Sequence, residues 1–455
     1  MRRLAQSKVT RRLATTLLPL VILGYFALQL MTPTIKLATR AQVEALLPPD
    51  LLAKTPVDKA AQSRLSEILE IQRTLDSSSR SEVEAEKTKT HGRLSAKTPG
   101  RPLTVAEVDQ LDRIVRTGPL QSTAAVKGND IFLVGRLLEG LSSTAFACQR
   151  RGDNRGLARC LLVSIKICDQ LVASELGMFT QVIGDRSTLQ TIRDIGRNPS
   201  TTQGVCATLL AALHPSQKED PALASSQREQ FQMLILPSLP NPYFDYKESD
   251  SDADDSSSDF PKFRFWKTSY EAVETTRAFG QLVTAMMANS KRFYRDYDDT
   301  ADRIIEKARV SLPTNPDPMK TRIWERWWEN TKYRVAVNMA SNLMGKWMIS
   351  LKGDSGRTEM QISLHHRSLR DDLRVLLASR LYRFSHNGLL PSRYQELIPY
   401  LGQWPTDLDD GKPMKYNRAK EVVYSVGTQL RDDGGETVAH NNATKDIGLS
   451  LALTK

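Results

Sequence analysis

Few residues in this chain have the type and spacing for chemistry. Asp250, Asp252 and Asp254 alternate as the acids that open an EF-hand loop do, where oxygens at every second position wrap a calcium ion. That loop also needs Gly at its sixth place and Glu at its twelfth. Asp255 and Pro261 stand there instead, so ESDSDADDSSSD reads as a solvated acidic loop. Gly353-Asp354-Ser355-Gly356 has the sequence of a serine nucleophile loop, but Arg357 follows it and the flanking pattern is helical. His365 and His366 are adjacent, so on a helix they point to different faces and make a poor ligand pair; they read as surface histidines near a helix start. No HExxH, GxSxG, P-loop or GxGxxG pattern is present.

The four cysteines (Cys148, Cys160, Cys168, Cys206) form no CxxC pair, which excludes the usual zinc, haem-attachment and thioredoxin motifs. Cys148 and Cys160 lie six residues either side of Asn154, the middle of an expected turn, so two antiparallel helices would bring them level. Helix axes usually stay 8–10 Å apart, while a disulfide needs Cα atoms within about 7 Å. Free, buried thiols are the expectation.

The element that would position everything else is Leu13–Met31, nineteen residues without a charge. At about 1.5 Å per residue such a helix reaches roughly 28 Å, close to the hydrocarbon thickness of a bilayer. Arg2, Arg3, Lys8, Arg11 and Arg12 precede it with no acid between them, which keeps the short N-terminus in the cytoplasm and delivers the rest to the other side. A cleaved secretory signal has a shorter apolar core and a small-x-small site, and a buried core helix needs no basic run; the best reading is an uncleaved, single-pass signal anchor. The Arg11-Arg12 pair lacks the rest of a twin-arginine pattern.

The chain carries 63 Lys+Arg against 52 Asp+Glu; without the five basic residues before the anchor the balance is 58 against 52. So mild an excess, spread along some 420 residues, excludes a nucleic-acid partner as the organising function. The remainder is expected to be mainly α. Residues 32–75 make a juxtamembrane helical segment, and 76–102 are polar and almost without large apolar residues, reading as a disordered tether. Thr104 with Glu107 is a capping-box signature that opens a helical-hairpin domain over 103–236. The acidic loop at 237–261 leads to a second helical region at 262–367. There Trp324, Trp327 or Trp328, and Trp347 fall at helical spacing and read as helix–helix core.

From residue 368 to 455 the pattern changes to a small α+β tail. Leu369, Leu373, Leu376, Leu377, Leu381 and Phe384 form one helical stripe ended by Asn387-Gly388 as a C-cap signal. Arg393–Tyr400 reads as a short helix. Met414 and Tyr416, then Val422, Tyr424 and Val426, alternate across Arg418-Ala419 as a β-hairpin. The succession Pro405-x-Asp407, Gly411-x-Pro413-x-x-Tyr416, Tyr424-Ser425-x-Gly427, Asp432-Asp433-Gly434-Gly435 and Asp446-Ile447-Gly448 resembles the C-terminal part of type II secretion pseudopilin G. The whole layout of anchor, tether, helical bundle and tail is similar to large sets of uncharacterised exported bacterial proteins, notably of planctomycete-like lineages. The pseudopilin resemblance implies a calcium ion in the loop after the Tyr-Ser-x-Gly strand, with Asp432, Asp433 and Asp446 at the ligand places. The functional expectation is a bacterial, inner-membrane-anchored, extracytoplasmic binding or scaffold module for a protein or peptide. The rival is a hydrolase-like envelope enzyme with its site between the two helical regions.

Overall fold

The computed structural model describes residues 35–53, 58–87, 102–120, 128–172, 185–240, 269–313, 332, 341–350, 355–435 and 446–454. The segment Leu13–Met31 read as an anchor, the stretch with Asp250, Asp252 and Asp254 read as an acidic loop, and Trp324, Trp327 and Trp328 lie outside the described residues. Among those described, no helix is long and apolar enough to cross a membrane.

The protein is mainly helical, as expected. In chain order the helices are α1 Arg40–Glu44, α2 Pro49–Leu52, α3 Lys59–Lys87, α4 Val105–Thr117, α5 Gly128–Arg150, α6 Asn154–Val172, α7 Gln190–Arg197 and α8 Gln203–Ala212. They continue as α9 Pro221–Gln230, α10 Ala272–Asn289, α11 Thr300–Val310, α12 Leu343–Ser350, α13 Ser355–Ser385 and α14 Ile398–Leu401. The strands are β1 Ile35–Lys36, β2 Tyr270–Glu271, β3 Lys415–Asn417, β4 Val422–Ser425 and β5 Ile447–Ser450.

Two compact units share the chain. The first takes residues 1–52, 234–283 and 300–354. In it β1 pairs in parallel with β2, Ile35 opposite Tyr270. Tyr270 is fully buried and donates its hydroxyl proton to the Leu239 carbonyl. The Asn342 side chain accepts from the Glu271 amide at 2.9 Å and the Thr275 hydroxyl at 3.0 Å. Trp347 packs against the core of Tyr270, Ala272 and Met344.

The second unit takes residues 53–233, 284–299 and 355–455, and it holds one continuous core from Leu65 to Leu451. The α5–α6 hairpin turns through Arg151–Asp153, with Gly152 at φ 72°, a left-handed conformation that glycine adopts without a Cβ clash. The thiols of Cys148 and Cys160 meet across this hairpin and are free. Burial first, then the neighbouring Cys148, pushes the Cys160 thiol up to about 12.

Helix α13 runs through the middle. Leu373, Val375, Leu376, Leu377 and Ala378 are all buried, so apolar residues face inward around its full circumference rather than along one stripe. Helices α7 and α8 pack against it, and so do β4, β5 and α14. The helix ends where Asn387 and Gly388 take positive φ (51° and 81°) and the Gly388 amide reaches back to the Arg383 carbonyl at 2.8 Å. The expected hairpin forms with Lys415 opposite Tyr424, and β5 adds a third antiparallel strand, Val423 opposite Leu449.

Three expectations need correction. The stretch read as a tether from residue 76 begins as helix, because α3 continues to Lys87. Glu82-Val83-Glu84-Ala85-Glu86-Lys87 contains strong helix formers and no Gly or Pro, so helix propensity persists where large apolar residues are few. Asp76 is tied in place by Gln72 and Arg136, both at 2.7 Å. The division drawn at 367/368 falls inside α13, and the tail belongs to the same unit as the hairpin helices. His366 is buried within α13 rather than on a surface near a helix start.

Candidate functional site: an arginine-lined cleft

Helix α4 is held at its start by the anticipated capping box. The Thr104 hydroxyl accepts from the Glu107 amide at 3.3 Å, and the Glu107 carboxylate accepts from the Thr104 amide at 2.6 Å. Val108, Leu111, Ile114 and Val115 bury its apolar face, which leaves Asp109, Asp112, Arg113 and Arg116 along the other edge. In α6, Leu157, Cys160, Leu161 and Ile165 enter the core. Arg155, Ala158, Arg159 and Leu162, spaced i, i+3, i+4 and i+7, share one outward face. Helix α8 follows the loop Asn198–Thr201, and Thr202 is its N-cap residue. These three elements enclose an open cleft of about 710 Å³, lined by Asp112, Arg113, Arg116, Asn154, Arg155, Ala158, Arg159, Leu162, Thr202, Gly204, Val205 and Thr208.

Four guanidinium groups therefore face one carboxylate. Asp112 is only 4% exposed and binds Arg116 Nε at 2.7 Å and Arg159 Nε at 3.1 Å. Burial alone would raise its pKa, but the hydrogen bonds and charges of the two arginines outweigh this and hold the carboxyl below its usual range. Arg159 also pairs with Asp109. Arg113 and Arg155, both exposed, have no hydrogen bond, ion pair or ring contact with any described residue. The paired arginines form a fixed wall and the other two remain open to a ligand.

The α8 end of the cleft is also unsatisfied. Thr202 has the extended backbone of an N-cap (φ −79°, ψ 158°), yet its side chain makes no capping hydrogen bond, and the first turn carries no acid. The first-turn amides of a helix have no intrahelical acceptor, and they carry the positive end of the macrodipole. The loop before α8 is anchored from α13, where Arg380 Nη2 donates to the carbonyls of Asn198, Pro199 and Thr201, each at 3.3 Å.

The carboxylates expected at a cation site share the loop after β4, but each is engaged. Asp432 Oδ1 accepts from the Gly434 amide at 2.9 Å and the Tyr424 hydroxyl at 3.1 Å, and its Oδ2 lies 3.2 Å from Lys415 Nζ. Asp433 Oδ1 lies 3.2 Å from Arg431 Nε. Asp446 Oδ2 caps the amides of Asp433 and Gly435 at 3.1 and 2.8 Å, while its Oδ1 is buried with no hydrogen-bond partner. That orphaned oxygen suits a cation. Among the described residues, however, no three acidic, thiol or imidazole groups converge as a metal-binding set.

A second acidic cluster lies under the tail and is closed to solvent. Ser425 Oγ stands 2.6 Å from Asp407 Oδ1 and 2.7 Å from Asp409 Oδ2, and all three residues are at most 2% exposed. One hydroxyl has one proton, so the second contact needs a proton from a carboxylic acid. Asp407 already accepts from the amides of Asp409 and Val426, both at 2.8 Å, which favours its ionised form. Asp409 is then the acid: burial first, with Asp407 and Asp410 adding, raises it to about 6 against the pull of Ser425. Asp372 is fully buried beside Asp371 and Asp407 and has an unpartnered Oδ1; burial and these neighbours hold it well above the usual carboxylate range. With no route for a substrate, this cluster is a structural support for the loop between α14 and β3.

No known family model, curated protein or solved structure matches this chain. Sequence reasoning passed over Arg113, Arg116, Arg155 and Arg159. Their signal was Arg-x-x-Arg and Arg-x-x-x-Arg on two helices, a pattern that usually marks a solvated face.

The Asp409 assignment has a pH signature. A carboxyl raised from 3.8 to about 6 contributes stability below its unfolded pKa, and that stability is lost as pH rises through the folded pKa. Two pKa units correspond to about 3 kcal/mol. Denaturant unfolding of Asp409→Asn should therefore show a smaller loss of stability than the natural chain between pH 4 and pH 7.5. Parallel pH curves for the two proteins would exclude the assignment.

Proposed function

We propose that this chain is a membrane-anchored, extracytoplasmic binding or scaffold protein, with the cleft of its second unit as the ligand-holding surface. The observation that carries this reading is the cleft itself. Its walls come from three capped or core-packed helices, and its volume is in the range of small-molecule sites. The groups offered there, guanidinium forks and helix amides, bind and orient ligands. No histidine, lysine or cysteine stands among the lining residues. Ala158, at the centre of the α6 face, allows the cleft to be blocked without entering the core. A chemically mixed small-molecule library, read by thermal shift, should give ligands whose effect disappears in Ala158→Trp. A library without such ligands would overturn the reading.

The location rests on Leu13–Met31 and the basic residues before it. Protease added to spheroplasts should digest the protein from Thr32 onward, and complete protection would reverse the topology.

The proposal extends to the tail, where a long helix followed by a short antiparallel sheet is consistent with a pseudopilin-G-like module. Asp446, through its buried and unpartnered Oδ1, would hold a calcium ion, with Asp432 and Asp433 drawn from their present partners to join it. The full chain should then melt higher in calcium than in chelator. Coincident melts would remove calcium from the description.

A further inference from the structure

We propose that the cleft between α4, α6 and α8 binds a small organic oxyanion ester, a phosphate or sulfate carried on a sugar-sized body. This rests on the reading of the cleft as the ligand-holding surface and specifies its ligand. Three sets of donors without partners among the described residues reach one cavity from three helices: Arg113 from α4, Arg155 from α6, and the uncapped first turn of the ten-residue α8. A carboxylate has two oxygens and is satisfied by one fork, whereas a terminal phosphate or sulfate presents three and can accept from all three directions. Helix amides and arginine forks are the two protein groups best matched to such an anion. Asp112 and Asp109 together neutralise Arg116 and Arg159, so the positive charge that remains lies with the two open arginines.

The cleft is also too large for a bare ion. Its volume of about 710 Å³ includes an apolar wall from Ala158, Leu162 and Val205, against which a carbon skeleton can lie. The Thr208 hydroxyl donates to the Gly204 carbonyl at 2.8 Å, which leaves its lone pairs to accept from a ligand hydroxyl. An anionic head with a hydroxylated body matches that lining.

Gly204 provides a test that leaves the fold intact. A Cβ added there meets nothing within 4 Å, and an acid in the first turn of a helix is stabilising. Gly204→Asp should therefore fold at least as well as the natural chain while placing its own carboxylate in the anion's seat. Calorimetric titration of the full chain at constant ionic strength, with inorganic phosphate, sulfate, glucose 6-phosphate, glucose and acetate, reads the result. We expect saturable binding of phosphate and sulfate, tighter binding of glucose 6-phosphate, and none of glucose or acetate. Arg113→Gln and Arg155→Gln should each weaken it by about tenfold or more, the usual worth of a charge-assisted hydrogen bond. Gly204→Asp should abolish it. Equal binding of acetate, absence of saturable binding by any oxyanion, or unchanged binding in Gly204→Asp would each overturn the proposal. If neutral or cationic library compounds still bind and are lost in Ala158→Trp, the cleft remains a ligand site and only the oxyanion assignment falls.

Discussion

The second unit depends on satisfying the guanidinium groups of one buried helix. Helix α13 is enclosed along its middle, yet it carries Arg367, Arg374 and Arg380 there at no more than 8% exposure. A buried charge is tolerated only when it is paired or hydrogen-bonded, so each arginine must meet an acceptor wherever the chain can bring one. The acceptors are backbone carbonyls: Gln217 and Lys218 for Arg367, Leu401 at the end of α14 for Arg374, and Asn198, Pro199 and Thr201 for Arg380. Nearer the surface, Arg383 reaches the Leu451 carbonyl beyond β5, and Arg370 reaches Asp169 on α6. One helix thus fixes loops that lie far apart in the chain, and the loop held by Arg380 is the one that presents the start of α8 to the cleft.

The same unit treats its charges in opposite ways at its two polar centres. Under the tail, Asp372, Asp407 and Asp409 are removed from water and burial raises all three, with Asp409 holding the proton and backbone amides keeping Asp407 ionised. Ser425 and backbone amides then satisfy Asp407 and Asp409, which closes the region to any ligand. At the cleft, Asp112 is equally hidden but remains ionised, because Arg116 and Arg159 compensate its desolvation. That pairing immobilises two of the four arginines as walls. The other two and the α8 amides stay open because no acidic side chain among the described residues reaches them.

Local pattern was sufficient for much of the architecture. The Thr104–Glu107 box, the turn at Gly152, the stop at Asn387-Gly388 and the hairpin across Arg418-Ala419 are each set by residues within a few positions of one another. Their physics (a cap, a left-handed glycine, an alternating strand) is complete within a short segment. The tether reading failed at α3 for a related reason: the absence of apolar residues removes the drive to pack, while helix propensity persists.

By itself the sequence determined an anchor-like apolar segment, a mainly helical body, a small β tail and cysteines outside any metal motif. Only the tertiary structure decided that α13 joins the tail to the hairpin helices, because its arginines find acceptors up to 201 residues away in sequence. It likewise decided which arginines are open. Arg113 and Arg155 look no different in sequence from Arg116 and Arg159. What separates them is where the Asp112 and Asp109 carboxylates lie once α4 and α6 pack together. Ion pairing acts over a few ångströms of space, and in this chain those ångströms are set by contacts between helices.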